Sequence, residues 1–258
     1  MSYKFKCYTD GNQECFVWEA DTRYYTTKKA IKKEFEFTQS LLDFLDLDID
    51  DLFEIFKSMG DEIQKLYQQK EGDTTSLRKN LDLLAEKHIY FQFLRLYWFE
   101  KLNKYVTGEY EGKVYDFMPY KTLTHIPMKI RTAQHQIRFM IDKALDVTAD
   151  QDKTIQQRIA SLYIKNSRSI DKAFEFHPIT LNFECVDDST MAEVLSPNSI
   201  IDIVDYLIRE IIRREINFKV CKSCGKYFPA TAHGNTEFCN RLFQDTGKTC
   251  RDIGSLAK

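Results

Sequence analysis

Four cysteines near the C-terminal end of the chain, Cys221, Cys224, Cys239 and Cys250, have the type and spacing to do chemistry. Cys221 and Cys224 form a C-x2-C pair followed at once by Gly225 and then by the aromatic pair Tyr227 and Phe228. Two thiolates so close in sequence can grip one ion only where the chain turns sharply between them, and Gly225 supplies the backbone freedom for that turn. Cys239 and Cys250 complete a four-sulfur set, the usual tetrahedral arrangement of a structural zinc site, which is closed and leaves no position for a reactive water. The full spacing is C-x2-C-x14-C-x10-C, so the first pair reads as a knuckle and the second does not. His233 is a rival ligand, set among Thr231, Ala232, Gly234 and Asn235. The four-cysteine set is preferred, because that stretch reads as a loop. A segment this short with so few aliphatic residues cannot build a core of its own and needs a metal or a docking surface.

Other chemistry finds little footing. The string Asp245-Thr246-Gly247-Lys248-Thr249 looks like a phosphate loop, but that motif needs a glycine five positions before Gly247, where Leu242 stands. His88, His125, His135 and His177 are scattered, and neither an H-E-x-x-H nor a G-x-S-x-G run is present. His135 with Arg131 and Arg138 falls on one side of a predicted helix and reads as a solvated face. No catalytic residues are assigned, and an enzyme with its site in the helical body is the least supported reading.

The elements that must position the cysteines follow from periodicity. Tyr3 to Ala20 alternates around Asp10-Gly11-Asn12 and predicts a β-hairpin. A helix capped by Thr26 or Thr27 is expected through KKAIKKEFEFTQSLLDFL, and a second capped by Asp50 or Asp51. In the second helix Leu52, Ile55, Phe56, Met59, Ile63 and Leu66 make one apolar stripe. One long helix is expected from about Ser76 to Val106, stopped by Gly108. Its aromatic run from Tyr90 to Phe99 reads as the core, because apolar residues occupy most of its faces. A short strand is expected near Val114 to Met118, helices near Met128 to Leu145 and Ala149 to Asn166, and a strand over Ile179 to Val186 closed by Asp187, Asp188 and Ser189. Ser196-Pro197-Asn198 opens a last, isoleucine-rich helix that must be largely buried and that leads straight into Phe218 and Cys221. The fold class expected is mainly α with a small β component. The organisation expected is a helical body, 1–217, with a zinc module, 218–258, packed on it rather than tethered by a linker.

Charge is distributed unevenly. The chain of 258 residues has a net charge of -2, which argues against a globally basic nucleic-acid binder. From Phe218 onward seven basic residues face three acidic ones, +4, while the preceding residues total -6. Lys222, Lys226, Arg241, Lys248 and Arg251 are therefore the candidate nucleic-acid contacts, through phosphates. No apolar run reaches the roughly 20 residues that span a bilayer, and no signal peptide is seen at the N-terminus, so a cytoplasmic protein without a membrane partner is expected. Reduced thiols fit the odd cysteine count, and Cys7, Cys15 and Cys185 read as small buried hydrophobes.

The order SPNSIIDIVDYLIREIIRREINFKVCKSCGKYF, then EFC, then KTCRDIG, resembles an uncharacterised family of bacterial proteins, mostly from Firmicutes, known only as a domain of unknown function. More distantly it is similar to the CGNR-type zinc fingers of bacterial regulators, although the CGNR signature itself is absent. The resemblance covers Ser196 to Gly254 and implies zinc at Cys221, Cys224, Cys239 and Cys250. Two functions are expected: a zinc-stabilised, nucleic-acid-associated or regulatory protein touching DNA or RNA, or a protein-interaction module in which zinc only staples the C-terminus. In the second, the basic tail faces an acidic partner or the body.

Overall fold

The computed structural model describes residues 5–19, 30–69, 74–109, 120–165, 172–230 and 236–256. The fold is mainly helical with a small antiparallel sheet. Among the described residues no helix is long and apolar enough to cross a membrane. The chain divides into two compact units, Met1–Gln134 with Phe176–Leu207, and His135–Glu175 with Ile208–Lys258.

The first unit is built on a five-stranded sheet in the order β3-β2-β1-β5-β4. Its strands are β1 (Phe5–Asp10), β2 (Gln13–Glu19), β3 (Ala30–Glu36), β4 (Leu181–Cys185) and β5 (Met191–Leu195), all antiparallel. Its helices begin with α1 (Gln39–Leu45), α2 (Ile49–Gln69), α3 (Thr75–Lys87) and α4 (Tyr90–Val106). Tyr90, Phe91, Phe93, Trp98 and Phe99 of α4 are buried in the core, and Tyr97 is half-buried. Phe93 meets Phe5 of β1 edge-on with ring centres 6.2 Å apart, Tyr90 meets Phe16 of β2 at 5.9 Å, and Phe91 meets Phe56 of α2 at 6.4 Å. The α2 stripe is buried as its spacing predicts. Cys7 pairs with Phe16 and Cys15 with Tyr8, so the two thiols point to opposite faces of the sheet and are both buried. Cys185 differs from expectation: it ends β4 and is exposed.

Several boundaries differ from the sequence reading, each for a tertiary reason. The expected helix over KKAIKKEFEFTQSLLDFL is instead β3 followed by α1, because β3 pairs residue by residue with β2 and Phe35 packs edge-on to Phe16 at 5.7 Å. Thr26, Thr27 and the expected strand near Val114 to Met118 lie outside the described residues. Helix α1 takes its cap from the sheet: Glu14 of β2 accepts the backbone N–H groups of Thr38 at 2.8 Å and Ser40 at 3.0 Å. The single helix expected from Ser76 is two, broken at His88, whose backbone is extended. His88 accepts the N–H of Tyr90 on Nδ1 and shares a hydrogen bond between Nε2 and the Ser40 carbonyl. The α2 cap is Asp48, which accepts the N–H groups of Asp50 and Asp51. The isoleucine-rich helix α7 (Ile200–Arg213) is capped by Ser199 in a reciprocal pairing with Asp202.

Helix α5 (Tyr120–Met140) starts in the first unit, and its last turns belong to the second. It continues as a π-helical turn, Ile141–Leu145, and helix α6 (Ile155–Lys165) follows. The second unit also holds β6 (Phe218–Val220) and β7 (Tyr227–Pro229), paired in a two-stranded sheet, and the short helix α8 (Cys250–Leu256). Ile208 and Ile211 of α7, together with Met140, Ile141, Leu145 and Ile159, are buried.

Candidate metal centre

The knuckle is the turn that joins β6 to β7. Cys221 follows β6 directly, and its N–H bonds the Lys226 carbonyl at 2.9 Å, while Gly225 N–H returns to the Cys221 carbonyl at 2.9 Å. Gly225 has φ +71°, the left-handed conformation that its place in the turn demands. Cys239 is brought in by its neighbour Glu237, whose carbonyl accepts the Lys222 N–H at 3.1 Å.

The ten residues between Cys239 and Cys250 fold back on themselves, which is why a pair without knuckle spacing can still meet. Cys250 N–H bonds the Arg241 carbonyl at 2.9 Å, Phe243 N–H bonds the Lys248 carbonyl at 2.9 Å, and Arg251 N–H bonds the Cys239 carbonyl at 3.1 Å. The phosphate-loop lookalike is the tip of this loop, a 3-10 turn over Gln244–Thr246 followed by Gly247 at φ +66°. Cys250 is then the first residue of α8. Thr249 caps that helix by accepting the Asp252 N–H at 3.2 Å, and the Asp252 carboxylate accepts the Thr249 N–H at 2.9 Å.

All four sulfurs lie within 4.8 Å of one another, with Cys221, Cys239 and Cys250 buried and Cys224 half-buried. Cys224 Sγ and Cys239 Sγ are 3.7 Å apart. A tetrahedron of Zn–S bonds of about 2.3 Å has sulfur–sulfur edges of about 3.8 Å, so the spacing fits one ion and is far beyond a disulfide bond. Four cysteines arranged in this way can hold a metal ion. Phe228, buried, and Phe238 and Phe243, half-buried, pack around them.

Electrostatics separate three of the four cysteines. Burial pushes the Cys221 thiol up, but the N–H groups of Cys239, Cys224 and Ser223 aimed at its sulfur more than offset this and bring it to about 6. Cys239 N–H lies 3.4 Å from that sulfur. Burial pushes Cys250 far up, with the Cys224 and Cys239 thiols adding to it, and Cys239 is raised as well. Cys239 and Cys250, crowded among other thiols, resist ionisation until a cation joins them, and a divalent ion reverses that balance.

Two residues outside the cysteine set shape the site. Gly254 lies one helical turn after Cys250, and a Cβ placed there would come within 2.5 Å of the Phe238 ring. The spacing of Gly254 from Cys250 is a signal that sequence alone could have offered, since positions four apart share a helix face. Asp142, which accepts the Tyr227 hydroxyl at 2.7 Å, carried no such signal. His233 lies outside the described residues.

The basic candidates are not equivalent. Lys222 pairs with Glu237 at 2.5 Å, and Arg241 donates to the Tyr227 carbonyl at 3.0 Å. Lys226, Lys248 and Arg251 are exposed. The Asp252 carboxyl is held low by its bonds from Thr249, and the charges of Lys248 and Arg251 add to this.

Residues 181–258 match the model of a family of unknown function, DUF6076. The matched stretch runs from the first residue of β4 through α7 to the end of the chain and so includes all four cysteines. No curated protein and no solved structure matches the chain.

Proposed function

We propose that the four cysteines bind one structural zinc ion and that residues 218–258 act as a zinc-stapled interaction module. The observation that carries this reading is the meeting of four thiols, three of them buried, within 4.8 Å of one another; four protein ligands on one tetrahedral ion would leave no position for a substrate or water. Soft thiolate ligands in tetrahedral array favour zinc among the common ions. The pairing of Lys222 with Glu237 and the seating of Arg241 on the Tyr227 carbonyl engage two of the five basic candidates within the module, which weighs against phosphate contacts and for a protein partner. Docking of this module on the rest of the chain, rather than tethering, is supported by the Tyr227 bond to Asp142 and by the Val147 N–H bond to the Phe218 carbonyl at 3.1 Å.

Exposure of Lys226, Lys248 and Arg251 favours a second reading, in which they approach the phosphates of DNA or RNA. One preparation of untagged protein tests both. Metal analysis is expected to give one zinc per chain, lost in Cys224→Ser; a chain without metal sinks the zinc reading. Titration with DNA and RNA at low salt is expected to show no binding on the first reading. Binding that weakens steeply with salt, and is lost when Lys226, Lys248 and Arg251 are changed to Gln, would replace it with the second.

A further inference from the structure

We propose that the metal site governs the folding of a discontinuous unit, His135–Glu175 with Ile208–Lys258, and not of the cysteine-bearing tail alone; this rests on the metal-binding reading above. The strands β6 and β7 have three residues each, too short for a two-stranded sheet to persist by itself in water. What joins them is the knuckle itself, the turn in which Cys221 leaves β6 and Gly225-Lys226 enters β7. Losing the ion therefore frees both strands.

Three links transmit that loss to residues distant in sequence. The Phe218 carbonyl of β6 accepts the Val147 N–H at 3.1 Å, and Phe218 forms a parallel bridge with Asp146. The Tyr227 hydroxyl of β7 donates to Asp142 at 2.7 Å, inside the π-helical turn. Arg158 of α6 closes the circuit, donating from Nη1 to the Asp146 carbonyl at 3.0 Å and from Nη2 to Asn217 Oδ1 at 2.8 Å, one residue before β6.

The elements receiving these links are the ones least able to stand alone. A π-helical turn is a rare form of backbone, found mostly as single turns within α-helices, and Ile141–Leu145 is tied to β7 by the Tyr227 bond. Helix α6 has 11 residues, below the length at which helices persist without tertiary support. Metal occupancy thus acts as a conformational switch for Ile141–Leu145 and Ile155–Lys165.

Hydrogen exchange on the full chain, with metal content measured on the same samples, tests this. On chelation, protection is expected to fall by about tenfold or more in peptides covering 141–147 and 155–165, returning with added Zn2+, while the β1–β2 hairpin is unchanged. Retained protection in both segments while the metal is gone overturns the coupling and leaves the metal reading standing. A chain that carries no metal and gains none from Zn2+ overturns both. Because chelation could unfold the protein broadly, the double variant Tyr227→Phe with Arg158→Gln provides the second arm. It is expected to keep its metal while the metal dependence of exchange over 155–165 shrinks severalfold; undiminished dependence would overturn the proposal.

Discussion

Tyr227 donates its hydroxyl proton to Asp142 Oδ1 at 2.7 Å across 85 positions of sequence. Burial, then this bond and the Asp142 charge, push the phenol well above its ordinary range, so the hydroxyl stays a donor at every physiological pH. Tyr227→Phe removes the donor and keeps the ring. The expected loss is ~1 kcal/mol, read as a lower urea midpoint at unchanged slope. An unshifted midpoint would show that the bond adds nothing.

Gly254→Ala places a methyl group where the Phe238 ring now lies, 2.5 Å from its nearest atoms. The ring or the helix carrying Cys250 must move. A stability loss of ~1–3 kcal/mol is expected, together with weaker zinc retention in competition with a chelator. Wild-type behaviour in both measurements would mean that Phe238 swings aside freely.

Glu14 is fully buried, and burial raises its carboxyl to about 7 despite the N–H groups of Ser40 and Thr38. The folded state therefore holds this proton more tightly than the unfolded chain. Its contribution is complete below about pH 4.5 and is lost as pH rises through about 7, a difference of ~3 kcal/mol. His88 runs the other way, since burial lowers it to about 4: stability present above about pH 6.5 is lost as pH falls toward that value. Between about pH 4.5 and 6.5 the two contributions offset each other, so Glu14→Gln should uncover the acid-side decline from His88, its stability rising with pH across that window where the native protein's stays level. Denaturation midpoints across that range in both proteins provide the check, and an unaltered profile would exclude Glu14 as the titrating group.

Cys185 is exposed, whereas Cys7 and Cys15 are buried and the other four thiols form the centre. Brief alkylation of the metal-loaded protein should modify Cys185 first. After chelation, Cys221, Cys224, Cys239 and Cys250 should follow, as mapped by mass spectrometry. Labelling of the four at equal rates with and without metal would contradict their role as ligands.

The local pattern determined a good deal. The C-x2-C-Gly knuckle, the apolar stripe of α2, the β1–β2 hairpin and the burial of α7 all follow from spacings of a few residues, where turn geometry and periodicity act directly. That the four cysteines would be the set brought together was also legible, because four thiols in a tail without an aliphatic core have few other uses. Tertiary structure decided what depends on partners far away in sequence. AIKKEFE becomes β3 because β2 offers a free edge, although its composition suits a helix equally. The break at His88 comes from a side chain satisfied by the Ser40 carbonyl and the Tyr90 N–H. Cys239 and Cys250 meet the knuckle only because a hairpin-like loop closes the gap between them, and Asp142 meets Tyr227 only once the chain has returned through α7. Long-range contacts of this kind carry no local period, so they become visible only when the chain is folded.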